Sequence, residues 1–192
     1  MDPSTTLKNE IFRPLTMIVI PGAFSVAPFI AVLSFHFPRF GQFARAETNL
    51  FLLTLLFVIT AAGFVLEDLG SRIEDYWDAK LNNKYPGRAE FWHEYLRLKI
   101  QDEYIGQRYL RTIYIRFKFE LSMAPGLFCF LIGLIWVNNL THTWGLLPMC
   151  GLSVFILAVI AYLLLESYQS AYVLGTLHKS ISQAASKCGS TP

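Results

Sequence analysis

On a helix advancing about 100° per residue, Arg97, Gln101, Tyr104, Arg108, Arg111 and Lys118 fall within about 60° of one line. Four of these are cations and one is an aromatic ring, which is what a polyanion needs: Arg and Lys meet phosphates, and Tyr stacks on bases. A nucleotide or short nucleic acid is therefore one candidate ligand, with Arg97, Tyr104, Arg108, Arg111 and Lys118 as its binding residues. The same stripe has a plainer reading. Basic residues next to a membrane attract anionic headgroups, and they also pair with acidic residues on a neighbouring helix. Such a helix is close by in sequence, because Glu67, Asp68, Glu74, Asp75 and Asp78 give the segment from Glu67 to Asn82 a net charge of minus three. These carboxylates alternate around the helix as a solvated face does. No catalytic residue, metal ligand set or cofactor site is expected. The histidines (His36, His93, His142, His178) have no paired helical spacing, and Cys129, Cys150 and Cys188 form no Cys-x-x-Cys. Phosphate-binding loops, glycine-rich dinucleotide turns and nucleophile elbows are missing too.

The elements that carry these residues are set by composition. Hydrophobic residues make up 54% of the 192 and charged residues 16%, against about 25% charged in an average soluble domain. The mean hydropathy is +0.41. Disorder is excluded, and a multi-pass membrane protein is expected. Four runs are apolar enough to cross about 30 Å of hydrocarbon: Leu15 to Phe35, Leu50 to Leu66, Leu121 to Val137 and Leu146 to Leu165. Pro21-Gly22 and Pro28 interrupt the first. Each proline removes a backbone hydrogen bond, which predicts a kinked or locally unwound helix there. A cleaved signal peptide fits that run less well, because its apolar core exceeds the usual length of about 7 to 15 residues. The polar stretch Asn138 to Gly145 separates the last two spans as a turn.

The fold expected is all-α, with four transmembrane helices and a two-helix cytoplasmic insert between the second and third. Its parts are an N-terminus (1–14), a first hairpin (15–66), the insert (67–119), a second hairpin (120–166) and a tail (167–192). Orientation follows from the positive-inside rule. Between Glu67 and Glu120 stand ten of the sixteen Lys and Arg residues, so the insert is placed in the cytoplasm. The even number of spans puts both termini there as well. In the insert, Leu66, Leu69, Ile73, Trp77 and Leu81 recur at helical spacing, the Asn82 to Gly87 stretch turns the chain, and a second helix runs from Arg88 to Ser122. Within the spans, hydroxyl and small residues are expected mostly as packing positions. Thr54 and Thr60 are pore candidates, and Pro21 and Pro28 are gating candidates, should several copies enclose a channel.

Two resemblances bear on function. Arg88-Ala89-Glu90-Phe91-Trp92-His93 has the R-x4-H spacing that resembles the core of HEPN ribonucleases, although Ala89 stands where that family usually has a polar residue. That likeness implies a membrane-anchored ribonuclease using Arg88 and His93. The overall layout, the segment Leu66 to Glu74 leaving the second span and the basic helix Arg97 to Lys118 together resemble the small four-span membrane effectors of bacterial antiphage defence. Among them the chain looks most like the membrane component of the Hailong system. This likeness implies a homo-oligomeric, tetrameric ion channel of the bacterial inner membrane. It would be controlled by a DNA oligomer or nucleotide from a partner nucleotidyltransferase, and would depolarise the cell. A membrane tether or adaptor without conductance is the further alternative.

Overall fold

A computed structural model describes residues 3–84 and 105–188, with side chains over 17–84 and 112–176. The described residues form five helices: α1 (Pro3–His36), α2 (Pro38–Ala46), α3 (Thr48–Lys84), α4 (Ile105–Thr141) and α5 (Leu146–Cys188). All but α2 are long and apolar enough to span a membrane, so the protein has the character of a multi-pass membrane protein. Helix α2 amounts to nine residues and buries none of them. It occupies the linker after the first span, where composition alone signalled no element.

Half of the apolar stretch of α4 (50%) is buried inside the protein, against 28% in α1 and 11% in α3 and α5. Helix α4 is thus the central post. It packs against α1, α3 and α5, and α1 also packs against α3. The seam between α4 and α5 is Leu127, Leu131 and Ile156, flanked by Met123, Phe130, Leu152, Val159, Ile160 and Leu163. These recur at three- and four-residue steps, the spacing that lets one helix face lie on another.

Helix α1 continues unbroken through Pro21 and Pro28; the local unwinding expected there is not present. Both prolines are instead buried against α4. A Cβ placed on Gly126 would stand 3.1 Å from the Pro21 carbonyl oxygen, and one on Gly133 would stand 2.5 Å from Pro28 Cγ. The two prolines and the two glycines are each seven residues apart, so α1 lies parallel to α4 with proline rings facing glycine notches. Between α1 and α3 the approach is closer still. A Cβ on Gly22 would come within 2.1 Å of the Ile59 carbonyl oxygen, and one on Gly63 equally near that of Ile18. This reciprocal pattern brings two helix backbones into direct contact, as small residues do in membranes.

The turn between α4 and α5 is shorter than the polar stretch suggested. Helix α4 runs on to Thr141, and His142 takes a left-handed conformation (φ 49°) at the position where a helix usually ends in glycine. The Trp144 amide donates to Asn138 Oδ1 at 3.0 Å, which closes the turn.

Candidate functional site

At about 1.5 Å per residue, the 37 residues of α3 and α4 and the 43 of α5 exceed the roughly 30 Å of hydrocarbon by a wide margin. The apolar run of α3 occupies its start, whereas those of α4 and α5 leave the excess at the start of α4 and the end of α5. All three overhangs therefore lie at one end and form a stalk. Leu81 of α3, Phe117 and Leu121 of α4, and Ala171 and Leu174 of α5 are buried together there, with Ile73, Trp77, Ile113 and Tyr168 packed around them. Burying a Leu or Phe side chain is worth about 1.5–3 kcal/mol where the alternative is water.

Two ionic groups flank this core, on opposite sides of α4. Residues two apart on a helix are separated by about 200°, so Lys118 meets α3 while Arg116 and Glu120 meet α5. The Lys118 ammonium pairs with Glu74 at 2.5 Å, donates to Ser71 Oγ at 3.2 Å and lies 5.7 Å from the Tyr114 ring centroid. Arg116 Nε donates to Glu120 Oε1 at 2.8 Å, and its second arm pairs with Glu166. Ser170 Oγ donates to Glu120 Oε2 at 3.3 Å. The Glu120 side chain is only 6% exposed, so these two donors are what compensate its desolvation. Nearby, Lys80 lies over the rings of Trp77 (5.4 Å) and Tyr168 (5.7 Å).

Of the proposed polyanion residues, Lys118 is therefore spent on a neighbouring carboxylate and is 17% exposed. Arg108 and Arg111 stand on α4 at the stalk end, with Arg111 two turns before Lys118 in register. Arg97 and Tyr104 lie outside the described residues, as do Arg88 and His93 of the R-x4-H pair. The pore candidates are on α3. Thr54 and Thr60 donate their hydroxyls to the Leu50 and Leu56 carbonyls of their own helix. The gating candidates Pro21 and Pro28 form the α1–α4 contact already described.

The Arg116, Glu120, Glu166 and Ser170 group was not singled out from the sequence, where positions 120 and 166 served only as the bounds of the second hairpin. A signal did exist in the four-residue spacing of Arg116 and Glu120, which matches a helical ion pair. Among the described residues no group of three His, Cys, Asp or Glu residues is placed to hold a metal ion. No family model, curated protein or solved structure matches the chain.

Proposed function

We propose that this chain is the subunit of a homo-oligomeric channel or pore-forming effector, held open or shut through its stalk by a polyanion, a nucleotide or DNA oligomer. The observation that carries the reading is continuity: α3, α4 and α5 each run without a break from an apolar span into the stalk, where ion pairs bind α4 to both neighbours. A ligand changes a pore only if it binds the two states with different affinity. One that draws on Arg97, Tyr104, Arg108 and Arg111 and competes with Glu74 for Lys118 would turn α4 against α3. That motion reaches the spans because no hinge lies between. In this reading the stalk and both termini lie in the cytoplasm, which the charge asymmetry supports, and the two-helix insert is the sensor; the bacterial inner membrane comes from the resemblance. The resemblance to antiphage effectors supplies the tetramer, the partner nucleotidyltransferase and depolarisation of the infected cell as the setting.

The test pairs conductance with binding. Cells expressing the chain with its trigger should lose membrane potential, read by a voltage-sensitive dye, and the Arg108→Glu/Arg111→Glu double variant should insert normally but respond at least tenfold more weakly. Unchanged oligonucleotide binding by the purified double variant refutes the sensor assignment. A second reading draws on Lys118, whose charge is already occupied by Glu74: a static stalk that tethers a partner to the membrane. A co-purifying partner with no conductance under any ligand selects it.

A further inference from the structure

At the membrane end opposite the stalk, α1, α2, α3 and α4 line a half-open cavity of about 430 Å³, within the roughly 300–1,000 Å³ typical of ligand pockets. Val26, Phe29 and Leu33 line it from α1, Phe40 and Phe43 from α2, and Leu55 and Val58 from α3. The only side-chain hydroxyls in its wall belong to Ser25 and Thr54, and both donate to carbonyls of their own helices, at 2.8 and 2.9 Å. The remaining heteroatom is the free thiol of Cys129. A wall with no donor to spare offers nothing to a polar ligand, and apolar cavities far smaller than this take up hydrocarbon in place of water.

The roof identifies the other end of the occupant. Helix α2 turns Phe40 and Phe43 toward the cavity, carries Arg39 at the flank of that face and places Arg45 on the opposite side of the helix. Both arginines are exposed, and neither has an ion-pair partner among the described residues. An amphipathic helix of this kind lies in the interface plane, with its cations at the level of the phosphates. We propose that the cavity holds an acyl chain of a phospholipid whose anionic headgroup is bound by Arg39 of α2.

The full-length chain, purified in detergent, is mixed with phosphatidylglycerol or phosphatidylcholine of the same acyl composition, and retained lipid is counted by native mass spectrometry. Phosphatidylglycerol should be retained at least tenfold better. Arg39→Glu should abolish that preference, and Val58→Trp, which projects an indole ring into the cavity, should at least halve retention of both lipids. Leu157→Trp on the exposed face of α5 should leave retention unchanged. Equal retention of the two lipids by the native chain, or undiminished retention by Val58→Trp, overturns the assignment. A second measurement leaves the cavity wall native. In the Cys150→Ser/Cys188→Ser variant, alkylation of Cys129 by an apolar maleimide should slow at least fivefold with phosphatidylglycerol and little with phosphatidylcholine. Protection that tracks protein concentration instead of lipid fraction gives the cavity to a second copy of the chain and refutes the lipid.

Discussion

Glu120 and Asp68 show why an ion pair must be weighed by its burial. Asp68 pairs with Arg72 at 3.2 Å, but the two side chains are 67% and 75% exposed. Such a surface pair contributes about 0–0.5 kcal/mol. Glu120 pairs with Arg116 from a nearly closed site, so losing the guanidinium strands a desolvated carboxylate on Ser170 alone. Arg116 is itself 58% exposed, which lets water recover part of the loss. Arg116→Ala should therefore lower stability by about 1–3 kcal/mol and Arg72→Ala by less than about 0.5 kcal/mol. Thermal unfolding of both variants in one detergent measures the difference, and equal losses would sink this account of the stalk. At this scale the i, i+4 pairing of Arg116 with Glu120 was legible in sequence. The third partner was not, since Glu166 stands 50 residues away and nothing local marks it as facing Arg116.

Among the elements, α1 depends on glycines of two other helices. Gly63 admits the α1 backbone and Gly133 admits the Pro28 ring. Gly151 on α5 has nothing within 4 Å of its Cβ position, which makes it the matched control. Gly63→Val should force α1 and α3 apart and lower the thermal midpoint, at a cost of about 1–3 kcal/mol or more. Gly151→Val should lie within about 0.5 kcal/mol of the parent. A Gly63→Val protein as stable as Gly151→Val would show that the α1–α3 contact is not held as described. The four apolar helices themselves were readable as runs between charged residues. Helix α2 was not, because Pro38 to Ala46 is too short and too mixed in polarity to stand out until the cavity gives its phenylalanines a face.

For the whole molecule, the tail is part of the stalk. Ala171 and Leu174 complete the cluster around Leu121, and Ser170 satisfies Glu120. A chain stopped after Glu166 should expose Leu81 and Phe117 and be cut by trypsin at Lys80, Arg116 or Lys118 at least tenfold faster than the full chain. One stopped after Thr176 keeps these contacts and should resist as the parent does. Equal cleavage of the two truncations would remove α5 from the stalk. The outer faces are the counterpart of this closed core. Leu53, Phe57 and Val65 on α3, and Leu147, Val154 and Phe155 on α5, remain exposed. In water they would form a sticky patch, whereas acyl chains satisfy them as well as a neighbouring copy does.

By itself the sequence determined that the chain is helical and membrane-embedded, and where each apolar helix runs. Those properties follow from local composition and from the need of every backbone amide to find its partner within its own segment. Only the tertiary structure decided that Pro21 and Pro28 are packing ridges, that Lys118 is paired with Glu74, that Glu120 is buried against Arg116 and Ser170, and that a cavity opens beneath α2. Each of these is a meeting of faces from helices distant in the chain. Hydrophobicity, which drives all the spans into the bilayer alike, does not say which faces meet.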